Sequence, residues 1–166
     1  GSSVSLETLR KALFNEPLDY SYTSEIENRS GEANAVLIGG NLTLLVMMAS
    51  SISEQDYSGK ILFLEDVGEY LYSLDRMMWN LKRSGKLTDL KGLIVGSFTE
   101  MKDNEIPFGQ TAEQIIMEHV KEFNFPVCFN FPAGHINDNR ALIFGRKVNM
   151  LVEKQNVSLT YPEFQF

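Results

Sequence analysis

Acidic side chains gather where an apolar run gives way to a helix, and a histidine lies in a separate loop. The segment "KILFLEDVGEYLYSLDRMM" starts with strand character, continues as an amphipathic helix, and carries Glu65, Asp66 and Glu69 at the junction. His135 lies in "FPAGHINDNR", among loop-forming residues. A carboxylate beside an imidazole is an arrangement that exchanges protons near neutral pH. Simpler roles stay open, namely a helix cap or ion pair for Glu65 and a surface position for His135.

The remaining candidate residues give weaker evidence of a catalytic or binding role. His119 lies in a helical segment between charged residues, which favours a structural role, and two histidines without HxH or HxxE spacing predict no metal site. Cys128 alternates with apolar residues in "VCFNF", as a small buried residue does, although a Cys-His enzyme remains an alternative. The pair Gly39-Gly40 lacks the spacing of a phosphate-binding loop, so no nucleotide site is predicted.

Strands and helices alternate over most of the chain and must position these groups. A helix is expected over 5–14 with Ser5 as its cap, and another over 69–83 with Glu69 as its cap. The remaining predicted elements are an exposed edge strand at "YSYTSEI", a strand, glycine turn and helix in "AVLIGGNLTLLVMMASS", strands at "KILFLEDV" and "KGLIVGSF", a helix in "QTAEQIIMEHVKEF", and short strands at "VCFNF", "ALIFG", "KVNMLVE" and "NVSLTY". This order predicts an α/β fold with a compact mixed sheet.

Length and composition bound the domain count and the partners. The 166 residues suit one domain, which we place at 15–166, with 1–14 as a leading helix or linker and Gly1-Ser2 as a cloning remnant. A net charge of −7 disfavours nucleic acid and anionic membranes as partners, since both select basic surfaces. No apolar segment approaches the roughly 20 residues that cross a bilayer. We therefore expect a small molecule or a protein as partner.

Four sequence blocks, in the same order, resemble the carboxy-terminal half of the serine LD-carboxypeptidases, the muramoyltetrapeptide carboxypeptidase family that includes the microcin-immunity peptidases. The blocks are "GGNLTLL", "ILFLEDVGEYLYSLDRMMWNLKRSGKL", "GLIVGSF" and "PAGH". The resemblance implies a swivelling β/β/α domain that contributes Glu65 and His135 to a Ser-Glu-His triad. The family's serine lies in a GxSD turn of an amino-terminal domain, and this sequence contains no GxSD. We therefore expect an inactive fragment that lacks the nucleophile domain.

The resemblance also implies a substrate and a setting. It implies hydrolysis of the amide that joins an L-configured centre to the terminal D-alanine of murein tetrapeptide, in the cytoplasm during cell-wall recycling, without a cofactor and in a homodimer. Asn41, which follows the glycine pair, is expected either to contact substrate or to cap a helix. Two rivals remain: a microcin-immunity-like peptidase that cleaves peptidyl-nucleotide amides, with an aromatic or basic group from 20–29 over the nucleobase, and a noncatalytic binding domain.

Overall fold

Residues 1–162, the part of the chain described by the computed structural model, form a seven-stranded mixed sheet with four helices. The strands lie in the order β1-β7-β6-β2-β3-β4-β5. Their bounds are β1 Asp19–Thr23, β2 Gly31–Asn41, β3 Ile61–Val67, β4 Gly92–Thr99, β5 Val127–Cys128, β6 Lys147–Val152 and β7 Asn156–Thr160. The helices are α1 Ser3–Leu13, α2 Leu42–Met47, α3 Leu71–Arg83 and α4 Ala112–Val120. The predicted α/β fold with a mixed sheet is confirmed.

The long strand β2 joins a parallel part of the sheet to an antiparallel part. Its first half, 31–36, pairs antiparallel with β6, and its second half, 37–41, pairs parallel with β3. The strands β3, β4 and β5 continue in parallel, whereas β6, β7 and β1 continue antiparallel. One strand therefore serves both parts of the sheet.

Two hydrophobic clusters show how the layers pack. The first places one face of the parallel strands against the helices and includes Leu64 of β3 and Leu74 of α3. The second places the other face against the antiparallel strands and includes Phe63 of β3 and Met150 of β6. Successive β3 residues point into opposite clusters because side chains alternate along a strand. The result is a β/β/α arrangement with β3 buried on both sides.

Several boundary predictions were wrong. Ser2 and not Ser5 caps α1, its side chain accepting a hydrogen bond from the Ser5 amide. Tyr70 and not Glu69 precedes α3, and no side chain caps that helix. The turn expected at Gly39 and Gly40 is not formed, because β2 continues through both glycines in register with β3. The segment "ALIFG" forms no strand, and the strand expected from "VCFNF" is limited to Val127–Cys128. Both segments are rich in apolar residues, but these pack from loops, Phe129 in the first cluster and Phe131, Leu142 and Ile143 in the second.

Other expectations agree with the structure. The helix expected in "QTAEQIIMEHVKEF" is α4, which Thr111 caps in a capping box with Gln114. The segment "YSYTSEI" contributes the edge strand β1. None of the helices formed by residues 1–162 is long and apolar enough to cross a bilayer. The domain limits 1–14 and 15–166 stay predictions, and positions 163–166 of the second range lie outside the described residues.

Candidate functional site

The side chains of Glu65 and His135 meet although they are distant in sequence. Glu65 Oε2 lies 2.7 Å from His135 Nδ1. The Glu65 side chain is 8% exposed and that of His135 54% exposed, so the carboxylate is covered while the imidazole faces solvent. An ionised carboxylate only accepts hydrogen bonds, so Nδ1 carries the proton and Nε2 of the neutral ring keeps its lone pair. The pair therefore presents an oriented proton acceptor.

Strand β3 delivers Glu65 to the carboxyl edge of the parallel sheet. Its neighbour in register on β2 is Asn41, the last residue of that strand. Ligands of open α/β sheets bind outside the carboxyl ends of the parallel strands. The apolar run before Glu65 buries the strand on both faces and so places the carboxylate on a rigid support.

The loop that carries His135 is attached to the neighbouring strand β4. The backbone N–H of Phe131 donates to the Val95 carbonyl, and that of Ser97 donates to the Ala133 carbonyl. The Thr99 hydroxyl donates to the His135 carbonyl at 3.3 Å. These bonds continue the sheet pattern beyond β5. They explain how a loop residue reaches the end of β3.

Gly134 makes the close approach of this loop to Glu65 feasible. Its φ is +117°, a conformation that disfavours side chains, and a Cβ there would lie 2.9 Å from Glu65 Oε2 and 2.2 Å from Ser97 Oγ. The Gly134 amide is held by the Asn139 side chain at 3.0 Å. The glycine before His135 is thus required by packing at the site.

Helix α1 braces the chain that follows His135, which the sequence reasoning missed. The Ser2 amide donates to the Asn137 carbonyl, and the Ser2 hydroxyl donates to Asp138 Oδ1 at 2.9 Å. The buried Thr8 hydroxyl accepts a hydrogen bond from the Ala141 amide at 3.1 Å. A leading segment therefore has direct contacts with the histidine loop. The hydroxyl-bearing residues in "GSSVSLET" were the available signal.

Asn41 and Asp66 build the framework beside the pair. Asn41 Oδ1 accepts from the Leu44 amide and Nδ2 donates to Asp66 Oδ1, so the cap interpretation of Asn41 is confirmed and substrate contact stays a prediction. Asp66 is 2% exposed and also accepts from the Thr43 amide, the Thr43 hydroxyl and the Val67 amide. Buried carboxylates need such donors. The expected structural role of Asp66 agrees with these contacts.

Glu69 does not cap α3. Its Oε1 lies 3.4 Å from the Thr43 hydroxyl, and its carbonyl accepts from the Lys102 amide. The three acids of this segment therefore have different contacts. Glu65 contacts an imidazole, Asp66 joins the end of β3 to the start of α2, and Glu69 lies at the edge of the Asp66 network.

A cleft of about 670 Å³ opens beside His135. Glu65 and His135 line it together with Gly40, and Leu6 and Leu9 of α1 also contribute to its lining. A Cβ built on Gly40 would have no atom within 4 Å, so the backbone of Gly40 is open to the cleft. A molecule in the cleft can therefore reach the imidazole of His135.

The other titratable candidates lie elsewhere. His119 is 3% exposed, and its Nε2 lies 2.7 Å from Asp75 Oδ1 across α3 and α4. Cys128 is fully buried, and burial raises the pKa of its thiol to about 12, which makes it unreactive. These placements agree with structural roles for both residues and argue against the Cys-His alternative.

The stretch expected to discriminate a nucleotide substrate is occupied by structural contacts. Tyr20 is 3% exposed and packs edge-to-face on Phe131. The Tyr22 hydroxyl donates to the Phe129 carbonyl, and the Arg29 guanidinium donates to the carbonyls of Phe125 and Val120. None of these three residues lines the cleft at His135.

Sequence comparison finds the same family that the motifs indicated. The LD-carboxypeptidase C-terminal domain family matches residues 34–150. A probable murein peptide carboxypeptidase of Bacillus subtilis is 35% identical over 144 residues, covering 84% of this chain and 45% of that protein. The murein tetrapeptide carboxypeptidase of Pseudomonas aeruginosa is 38% identical over 111 residues, covering 66% of this chain and 36% of that protein. The chain thus spans less than half the length of these relatives.

Structure comparison agrees over the whole described fold. The muramoyltetrapeptide carboxypeptidase of Oxalobacter formigenes superimposes with a TM-score of 0.89 at 27% identity, covering 99% of this chain and 56% of that chain. The microcin C7 self-immunity protein MccF shares the fold with a TM-score of 0.78 at 19% identity, covering 96% of this chain and 55% of that chain. The family match, the shared fold and the motifs lead to one conclusion. The chain belongs to the LD-carboxypeptidase family and corresponds to its C-terminal domain.

Proposed function

We propose that this chain supplies Glu65 and His135 to the triad of a serine-type LD-carboxypeptidase whose serine lies in an N-terminal domain outside the chain. The observation that carries the proposal is the 2.7 Å contact between a buried carboxylate and an exposed imidazole at the edge of an open cleft. The chain spans only 45% and 36% of the lengths of the two murein peptide relatives, which also supports a partner domain outside the chain.

In the proposed reaction, His135 Nε2 takes the proton of the serine hydroxyl as that oxygen attacks the carbonyl of an L,D-amide. Glu65 holds Nδ1 and stabilises the imidazolium that forms. The imidazolium then protonates the leaving amine of D-alanine. Water, activated by the same imidazole, hydrolyses the acyl-enzyme and regenerates the serine. The isolated chain, without the serine, is inactive in this scheme.

The proposed substrate is murein tetrapeptide, encountered in the cytoplasm during cell-wall recycling by a homodimeric full-length enzyme. The family relatives with the higher identities carry murein peptide names. In the microcin-immunity alternative, an aromatic or basic side chain from residues 20–29 would pack over the nucleobase of the substrate. Their aromatic and basic side chains are instead engaged within the sheet and its loops, which favours the murein peptide.

The test uses the protein extended by its upstream domain and measures D-alanine released from an L,D-linked tetrapeptide. We expect release by the parent and a loss of roughly 10²–10⁴-fold in kcat for Glu65→Gln, because the imidazole loses its orienting carboxylate. Asp75→Asn is the matched control, since it alters the other carboxylate that faces a histidine, and we expect full activity. Unchanged release in Glu65→Gln would refute the proposed role, and a noncatalytic binding domain would then be the better description.

A further inference from the structure

The hydroxyl of Ser97 is buried beside Glu65 and has no hydrogen-bond partner among residues 1–162. Buried polar groups are nearly always paired, because an unpaired one loses its water without compensation. The backbone N–H of Ser97, in contrast, is paired, because it donates to the Ala133 carbonyl at 3.0 Å. The unpaired hydroxyl is therefore the feature that needs an explanation.

An irregularity in the sheet aims this side chain towards the site. In the β3–β4 register Leu64 pairs with Val95 and Asp66 with Phe98, so Gly96 and Ser97 together lie opposite Glu65. A bulge of this kind turns two consecutive residues to the same face and is common beside active sites.

The packing agrees with that interpretation of the bulge. Val95 and Phe98 both belong to the helix-side cluster. Between them, a Cβ at Gly96 would touch the Phe63 ring of the opposite cluster. Regular alternation would have turned the Ser97 side chain towards the helices.

Ser97 and Glu65 flank the same small volume. A Cβ placed on Gly134 would lie 2.2 Å from Ser97 Oγ and 2.9 Å from Glu65 Oε2. The Glu65 carboxylate, 8% exposed, has one hydrogen-bond donor among the side chains and backbone amides of residues 1–162, namely His135 Nδ1. Asp66, its similarly buried neighbour, has four. Glu65 therefore has free acceptor capacity next to a free donor.

We propose that Ser97 is a positioning residue whose hydroxyl turns about χ1 to donate to the Glu65 carboxylate and so fixes it against His135. This inference deepens the proposed function and rests on it for its catalytic meaning. Ser97 does not touch the substrate. It acts through Glu65, by holding the oxygen that selects which ring nitrogen of His135 carries the proton.

The first test measures the tautomer of His135 by ¹⁵N NMR on the chain itself, at a pH where the imidazole is neutral. The chain has two histidines, so His119, which contacts Asp75, is an internal reference. We expect Ser97→Ala to lower the Nδ1–H fraction of His135 and to leave the His119 signals unchanged. Ser97→Thr keeps a hydroxyl and restores the parent spectrum. Ser158→Ala, at a partly buried strand serine on β7, is the matched control without effect.

The stability readout separates positioning from a merely buried hydroxyl. If Ser97 donates to Glu65, Ser97→Ala lowers the thermal midpoint, whereas removal of an unpaired buried group would leave it unchanged or raise it. Ser97→Cys keeps the volume with a weak donor, and it takes the place of Ser97→Ala in the NMR test if that variant does not fold. An unchanged tautomer fraction in the folded variant overturns the proposal.

In the protein extended by its upstream domain, Ser97→Ala should lower kcat roughly tenfold with little change in KM, because the affected contact matters when the imidazolium forms. Ser97→Thr should recover kcat. Absence of D-alanine release by the parent would refute the proposed function and leave the NMR test of Ser97 intact. An unchanged tautomer with an active parent would refute the positioning role alone.

Discussion

Two carboxylate–imidazole pairs in this molecule share a contact distance and differ in exposure. Glu65–His135 and Asp75–His119 both have 2.7 Å between oxygen and nitrogen. In the first pair the side chain of the histidine is 54% exposed and that of the acid 8%, whereas in the second the side-chain exposures are 4% for the histidine and 31% for the acid. A buried acid with an open imidazole can orient a base for a substrate. A buried imidazole with an open acid can only join two helices.

The surroundings of the two histidines explain the difference. His119 projects from α4 onto α3, where the Trp79 ring packs against it edge-to-face at 4.9 Å. His135 projects from a loop at the carboxyl edge of the parallel strands, into an open cleft. Identical functional groups therefore acquire different roles from the element that carries them. The following variants test this distinction.

The largest expected effect separates the two histidines by activity. In the protein extended by its upstream domain, His135→Ala should reduce D-alanine release by roughly 10²–10⁴-fold, because it removes the general base. His119→Ala should retain release under conditions where it remains folded. The rates of D-alanine release are compared by steady-state kinetics at a temperature well below the unfolding midpoints of both variants. Equal losses in both variants would contradict it.

The effects of the two histidine variants on stability should have the opposite order to their effects on activity. His119→Ala leaves a cavity between α3 and α4 and should lower the free energy of unfolding by about 2–3 kcal/mol. His135→Ala should cost less than about 1 kcal/mol, since truncation at an exposed position lets cleft water reach Glu65. Urea unfolding of both variants of this chain measures the difference. A larger cost for His135→Ala would mean that the loop histidine supports the fold.

Gly134→Ala should damage the Glu65–His135 pair although neither member of the pair is replaced. Gly145→Ala is its matched control, since Gly145 also has a positive φ, of +82°, but open space around a would-be Cβ. Both variants carry backbone strain, of about 1–3 kcal/mol. Only Gly134→Ala adds a clash with Ser97 and Glu65. We therefore expect its free energy of unfolding to be about 1 kcal/mol lower than that of Gly145→Ala. We also expect it to lose activity in the extended protein. Equal unfolding free energies would show that the loop relaxes freely.

The smallest expected effect concerns Asp75. Because this carboxylate is partly exposed and Asn retains a carbonyl acceptor for His119, Asp75→Asn should lower the unfolding free energy by no more than about 1 kcal/mol. Thermal or urea unfolding at neutral pH measures it. A loss as large as that of His119→Ala would mean that the charge and not the packing of His119 holds the two helices together.

Much of the site was predictable from local sequence, and the misses have physical causes. The strand that carries Glu65 and the loop of His135 both have strong local signals of apolar runs and turn residues. The turn expected at Gly39 and Gly40 is absent, because both glycines pair with β3 as part of β2. The expected cap at Glu69 failed because the chain takes a further residue, Tyr70, to enter α3. The expected strand "ALIFG" failed because burial of apolar side chains does not require strand pairing.

Contacts between segments that are distant in the sequence could not be predicted from local sequence patterns. The bulge opposite Glu65 depends on the register of two strands, and nothing in "GLIVGSF" alone states that Ser97 turns to the face of Phe63. The brace from α1 to the loop after His135 likewise joins residues from opposite ends of the chain. Pairing at such separations is specified by the whole packed sheet.

By itself, the sequence determined the α/β fold, the family and the short list that contained both members of the Glu65–His135 pair, because periodicity and motif are local properties of the chain. Tertiary structure alone decided which acid meets which histidine and which imidazole remains open. The physical reason is that hydrogen bonds and burial depend on positions in space. Only parallel pairing of β2, β3 and β4, with the histidine loop attached to β4, brings residues 65, 97 and 134 to the same point.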